Sequence, residues 1–395
     1  MARSGNTLAR AASAAALASA LGFAPGKAAA VPSVSVTPSP DVYAVLAQQP
    51  EIAATVPVYS QPQEAGRFTS LTVIGDSYAD WGNALQYNPV SSQVGASGRY
   101  GNALNIIDAL QYHYALPTSS VTNYAFGGAS SGSANNNPPA LQLPGFSQQV
   151  QAIVDSGRRF GPSDLVTFTT GGVGGANDAA LGIGVAQATA NLVGYVATLV
   201  GLGGQNILIN GEATPGDPAF DAATKASVLA ALTPFASQGV KVYFFDEAAL
   251  ADAILANPTA YGFAADATAT DYCTRFGGTH VCNEGDVNKA RFQSTAEILA
   301  EDRYLYFYAH PTTSYAALLA QGDIRALTAS PLSVPEPASL GILAAGLAAF
   351  VGTARRRKER QGRACQLSAR STHGMLATST PSSFSAAASS GVLSP

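Results

Sequence analysis

Charge is scarce in this chain: 12% of its 395 residues are Asp, Glu, Lys or Arg, against 47% hydrophobic. Basic charge is scarcer still once the ends are set aside. Residues 1–30 hold three basic residues and no acid, and residues 355–395 hold seven basic residues and one acid, so the formal −4 of the whole chain becomes −13 for residues 31–354. So acidic a body is repelled by phosphate backbones and anionic membrane surfaces, which argues against nucleic acid as a partner. Soft metal ligands are few as well. Of three cysteines, Cys273 and Cys282 bracket "CTRFGGTHVC", with His280 between them. Three soft ligands without a specified fourth make a poor zinc site. Two cysteines across a short Gly-containing loop suit a disulfide in an oxidising compartment. The third, Cys365, falls in the tail and is expected to stay unpaired. No internal repeat is present. Apolar residues are abundant, enough for a large core in one or two domains.

The two ends read as export signals. Residues 1–30 carry Arg3 and Arg10, then an Ala/Leu-rich stretch, then Ala28-Ala29-Ala30, the order of a secretory signal peptide; the plainer alternative is an Ala-rich leader. Near the other end, "VPEPASLGILAAGLAAFVGTARRRKER" holds an uncharged apolar run over 338–354 and then Arg355-Arg356-Arg357-Lys358. That length is the low edge of a bilayer span, with the cations expected on the cytoplasmic side. A buried core helix is the alternative, but core helices seldom end in consecutive cations. The Val-Pro-Glu-Pro opening, apolar run and Arg cluster of 334–358 resemble the PEP-CTERM sorting signal of Gram-negative bacteria. That resemblance implies an exosortase-type processing protease as partner, transient membrane anchoring, and residence in the cell envelope or extracellular matrix. The family's tail normally stops soon after the basic cluster. Here residues 359–395 follow, rich in Ser and Ala and without periodicity, and are expected to be disordered.

Between the ends, residues 31–67 are rich in Pro, Val, Ser and Gln and read as an extended linker. From residue 68 short β-rich runs appear: "SLTVIGDS", "VTNYAFGG", "DLVTFTTGG", "QNILING" and "VKVYFFDE". Helical stretches alternate with them at about 101–112, 145–156, 176–201, 219–237 and 247–256, and two more, about 286–301 and 313–326, close the domain. Mostly apolar strands alternating with helices indicate a parallel sheet covered on both faces, a three-layer α/β/α sandwich of about five strands over residues 68–328.

In such sheets functional groups collect at the carboxyl ends of the strands. Three strand exits here carry Gly with polar residues: "GDS" at 75–77, "GGAS" at 127–130 and "GGANDAA" at 174–180. Ser77 at a strand-to-helix turn exposes a hydroxyl while its own N–H points into the same space. Gly128 lacks a side chain, so its N–H can approach a substrate; Gly127 adjoins it and is a rival. Asn177 offers a neutral amide donor, and an ester-cleaving site needs such donors where the oxyanion develops. Of four histidines, His113 lies within a helix, His280 in the cysteine loop and His373 in the tail, which leaves His310, in "YAHPTTSYAALLA", as the base. Asp76 and Asp80 have an ordinary reading as acids capping a helix start, and Asp178 as a brace for its loop.

These residues resemble the GDSL-type lipases and esterases of the SGNH hydrolase superfamily, whose fold is flavodoxin-like. The blocks fall in family order: "VIGDSYADWGN", "NYAFGGASS", "GGAND" and "HPTTSY", spanning 72–316; "SGRYGNALNIIDAL" and "NPTAYGF" also look like the secreted bacterial branch. The resemblance implies Ser77 as nucleophile, His310 as base, and an oxyanion hole from Ser77, Gly128 and Asn177, with no cofactor or metal. It implies a secreted ester hydrolase whose substrate is an acyl ester, a lipid or an acetylated polysaccharide. No long apolar lid segment is evident, which disfavours an interfacial lipase.

The departures are specific. Tyr78 replaces the Leu of the family's name. Trp81 stands where a small polar residue is usual and is expected to line the entrance. The family's Asp three residues before the histidine is here Phe307. A backbone carbonyl near Phe307 or Tyr308, or Asp302 or Glu301 from the preceding turn, would have to orient the imidazole. The reading is a Ser77–His310 dyad; the alternative is a weak or inactive surface-displayed carbohydrate-binding or adhesive protein on the same fold.

Overall fold

The computed structural model describes residues 42–60, 64–84, 98–169, 175–211, 218–270, 272–276, 294–307 and 309–332. The chain divides between Val334 and Pro335. The signal peptide, the apolar run 338–354, the tail, His280, Cys282 and Tyr308 lie outside the described residues. Among those described, no helix is long and apolar enough to cross a membrane.

Five parallel strands form the centre: β1 (Ser70–Gly75), β2 (Val121–Asn123), β3 (Asp164–Thr169), β4 (Asn206–Gly211) and β5 (Lys241–Asp246), in the order β2-β1-β3-β4-β5. This is the flavodoxin-like order, with its topological switch between β1 and β3. The strands are mostly apolar because successive residues enter the two covered layers. Leu71, Val73, Leu165, Leu208 and Tyr243 join one core cluster, and Ile74, Val166, Phe168, Ile207, Ile209 and Val242 the other.

Helices cover both faces. On the first side lie α1 (Val42–Gln48), α2 (Pro50–Thr55), α3 (Pro57–Ser60) and α4 (Ile106–His113). On the other lie α5 (Phe146–Asp155) and, beyond the short α6 (Ala176–Ala180), the long helices α7 (Val185–Gly201) and α8 (Pro218–Ala236). The chain continues through α9 (Glu247–Ala256), α10 (Tyr272–Phe276) and α11 (Thr295–Glu301) to a two-residue-strand hairpin, β6 (Tyr306–Phe307) and β7 (His310–Pro311), and ends its described part in α12 (Thr313–Thr328).

Two expectations are corrected. The supposed linker contains α1–α3, which bury Val42, Val45, Ile52, Val56, Val58 and Tyr59 in the first core cluster. Pro50 and Pro57 open helices instead of breaking them, because the first helical position needs no N–H and favours proline's φ. The single helix expected over 176–201 is two, separated at Gly182, which has φ +70°, and restarted at Gly184. Of the helix expected over 286–301, Thr295–Glu301 is described, opened by a Ser294–Glu297 capping box.

Candidate active site

The nucleophile turn is built on the end of β1. Gln149 of α5 clasps Gly75 with two hydrogen bonds of 2.9 Å, one to its carbonyl and one from its N–H. A side chain at Gly75 would stand 2.8 Å from the Thr169 carbonyl, so β1 and β3 approach closely here only because residue 75 is glycine. Asp76 is buried, and its carboxylate accepts from the Tyr78 N–H at 3.1 Å. Its carbonyl accepts from the N–H groups of Ala79 and Asp80. Ser77, between them, is half-buried, and its N–H has no acceptor among the described residues.

Asp80 does more than cap. One carboxylate oxygen accepts from Gly82 at 2.7 Å and Asn83 at 2.6 Å; the other accepts from Ala84 at 3.1 Å and from Gly127, across the sheet edge, at 2.8 Å. Burial pushes its carboxyl up to about 6 against the pull of these four bonds. Asn83 and Asn123 lace the same elements together, Asn83 donating to the Asn123 and Ala125 carbonyls and Asn123 to the Ala79 carbonyl.

The bond from Gly127 separates the two rival glycines. The Gly127 N–H is committed to Asp80, whereas the Gly128 N–H has no acceptor among the described residues. Gly128 has φ +78°, and a Cβ there would lie 2.4 Å from Asn137 Nδ2 and 2.7 Å from Asn135 Oδ1. Both asparagines donate to the Gly127 carbonyl, at 3.0 Å from Asn135 and 2.7 Å from Asn137. Sequence reasoning missed this brace; its signal was the run Asn135-Asn136-Asn137 just after the Gly block.

Asn177 sits in the first turn of α6 and joins three blocks. Its amide nitrogen donates to Asp76 Oδ2 at 3.1 Å and to the Ala129 carbonyl at 3.2 Å, and its oxygen accepts from Asn136 at 3.4 Å. The expected oxyanion donor is thus beside the nucleophile turn with both amide hydrogens engaged. Asp178 accepts from the Ser131 N–H at 2.8 Å, a brace for the Gly loop.

His310 stands on β7, directly paired with Phe307 of β6. Ala309, just before it, has φ +62°. Two tyrosine rings neighbour the imidazole: Tyr100 at 4.9 Å between centroids, tilted 40°, and Tyr78 edge-on at 6.0 Å. Ser77, Tyr78, Asn105 and His310 line one small cleft. The hydrogen bond from the Ser77 hydroxyl to the imidazole that proton transfer requires is a contact that commonly tightens only with substrate bound.

Asp302 is held elsewhere. It accepts from Asn102 at 2.9 Å and from groups at the start of α12, and burial raises its carboxyl to about 6. Asn102 in turn accepts from the Thr313 N–H at 2.8 Å. Asp302 therefore secures the His loop against the segment around residue 102. Trp81 does not line the entrance: it is buried, 5.5 Å under the Arg99 guanidinium. Arg99 is itself wholly buried and paired with Asp108, Nε to Oδ2 3.0 Å. Cys273 is disulfide-bonded. The expected partner, Cys282, is outside the described residues.

The geometry defines an α/β protein with polar groups from several sheet exits gathered on one rim. Residues 333–358 match the PEP-CTERM protein-sorting motif. The motif indicates export to the cell envelope or extracellular surface through a C-terminal anchor, with processing by an exosortase. A search of curated proteins finds no match. Among solved structures, the chain is similar to protein YxiM of Bacillus subtilis, at 16% identity and TM-score 0.35, covering 66% of this chain and 56% of that one. The chain thus spans little over half the length of that protein.

Proposed function

We propose that this chain is an exported serine ester hydrolase. The observation that carries the reading is the shared cleft of Ser77 and His310, with Ser77 and Gly128 both presenting N–H groups that have no acceptor among the described residues. The Ser77 hydroxyl attacks the ester carbonyl as His310 takes its proton. The carbonyl oxygen, now anionic, is met by the N–H groups of Ser77 and Gly128, fixed in place before the reaction begins. His310 returns the proton to the leaving alkoxide, and water, activated by the same imidazole, then releases the acid from the acyl-enzyme. Asn177 adds a third donor once a substrate oxygen displaces the Ala129 carbonyl from its amide. A Cys273–Cys282 disulfide stabilises the loop between α10 and α11.

Export to the envelope supports an extracellular ester as substrate, with acyl groups on surface polysaccharide in first place and free acyl esters or lipids after it. Phe307 in the acid's position favours a second reading, a display module that has lost turnover. A fluorophosphonate probe separates the two. Labelling of the wild type at Ser77, abolished in Ser77→Ala and greatly slowed in His310→Ala, is the expected result. Folded protein that takes up no label would leave the display module as the better reading.

A further inference from the structure

The segment "GRYGNALN", 98–105, is pressed against the His loop at several points. A Cβ at Gly101 would be 2.4 Å from the Pro311 carbonyl. The Leu104 N–H donates to Thr313 Oγ1 at 3.1 Å, and Asn102 holds both Thr313 and Asp302. On the other side, the buried Arg99–Asp108 pair fixes the backbone. Tyr100 lies between these anchors, 6% exposed, with its ring centroid 4.9 Å from that of the His310 imidazole and the planes tilted by 40°. Its hydroxyl reaches so close to Gly127 that a Cβ there would meet it at 2.0 Å. A ring held this way has one orientation, and the orientation is set toward the base.

We infer that Tyr100 is a positioning residue that takes over part of the task of the acid absent at 307: its ring face fixes the His310 imidazole and stabilises the imidazolium that forms when Ser77 gives up its proton. The inference rests on the hydrolase reading above. Its physical basis is the negative face of an aromatic ring, which attracts a cation within about 6 Å of the centroid. Tyr78 makes a second, edge-type ring contact with the imidazole at 6.0 Å between centroids. The other charged groups around the clamp are the Asp76 and Asp80 carboxylates, which act on Tyr100 from the nucleophile turn, and Asp302, turned toward Asn102. Burial and those two carboxylates raise the Tyr100 hydroxyl well above its usual range, so the ring stays neutral and contributes through its face.

The test compares Tyr100→Phe, which keeps the face, with Tyr100→Leu, which removes it. Three quantities are read: fluorophosphonate labelling of Ser77, kcat and KM on p-nitrophenyl acetate, and the NMR titration of the His310 ring. Tyr100→Phe is expected within about threefold of wild type, and Tyr100→Leu about 5- to 30-fold lower in kcat with KM little changed. The His310 titration should move to lower pH in Tyr100→Leu and stay in place in Tyr100→Phe. Adding Phe307→Asp to Tyr100→Leu should restore much of the lost kcat, a rescue that a packing defect would not show. Wild type that labels while Tyr100→Leu leaves the titration and kcat unmoved overturns the role of Tyr100 and keeps the hydrolase. Equal losses in Phe and Leu also overturn it, by assigning the effect to the hydroxyl. Wild type that never labels overturns the hydrolase reading, and with it the catalytic meaning of the contact, whatever the titration shows.

Discussion

The Gly127 N–H donates to Asp80 Oδ2 across 2.8 Å, joining the turn that carries Ser77 to the loop that carries Gly128. Asp80→Asn keeps one acceptor oxygen but sets an amide donor against the donors of Ala84 and Gly127. The expected result at neutral pH is a loss of about 2–4 kcal/mol in urea unfolding and a fall of about tenfold or more in ester turnover. Because burial raises the Asp80 carboxyl from 3.8 to about 6, its contribution is full below about pH 4 and is lost as pH rises through 6, so the stability difference from Asp80→Asn should widen as pH falls from 7 to 4. A constant difference from pH 5 to 8 would reject this account.

Asp302 gives a stability signature of its own. Its carboxyl is raised from 3.8 to about 6, chiefly by burial. Between those values the folded chain keeps a proton that the unfolded chain has released. Its contribution is therefore full below about pH 4 and is lost as pH rises through 6, a change on the order of 3 kcal/mol. Unfolding free energies of Asp302→Asn against pH should show a flatter slope over that window than the wild type. An identical slope would show that Asp302 is not buried as described.

Phe307→Asp should raise ester turnover. Residues 307 and 310 are directly paired across the hairpin, and paired side chains start about 4.5–5.5 Å apart, within reach of a carboxylate. A gain of about tenfold or more in kcat/KM, alongside about 1–3 kcal/mol lower stability from burying the new acid, is the expected pattern. Steady-state kinetics with a parallel thermal melt checks both halves.

Removal of residues 42–60 should prevent folding. Val42, Val45, Ile52, Val56, Val58 and Tyr59 are each at most 2% exposed. Their burial is worth on the order of 10 kcal/mol, comparable to the whole stability of a typical domain. Circular dichroism of a chain starting at residue 64 should lack a cooperative melt; a native-like melt would show that these helices are dispensable.

Much of this was legible in the sequence because the signals were local. The helix at 247–256 was read at its observed bounds, and β-rich runs marked all five strands of the sheet. The misreadings came from context. Pro50 and Pro57 look like breakers until one knows they occupy first helical turns. Trp81 lies four residues from Ser77 in sequence, but the turn directs it inward onto Arg99. The one observation that distinguishes Gly127 from Gly128 is the hydrogen bond that the Gly127 N–H donates to a residue 47 positions away, and no spacing rule carries that information.

The helices α3 and α12 touch one another, although one is near the start of the described chain and the other at its end. The first core cluster is complete only when residues 313–328 have joined residues 42–60. Contacts this distant in sequence form late. The sorting motif begins at residue 333, five positions past the end of α12. During export, then, the segment that completes the fold emerges immediately ahead of the segment that retains the chain at the membrane. The protein gains its shape and its address within the same short interval.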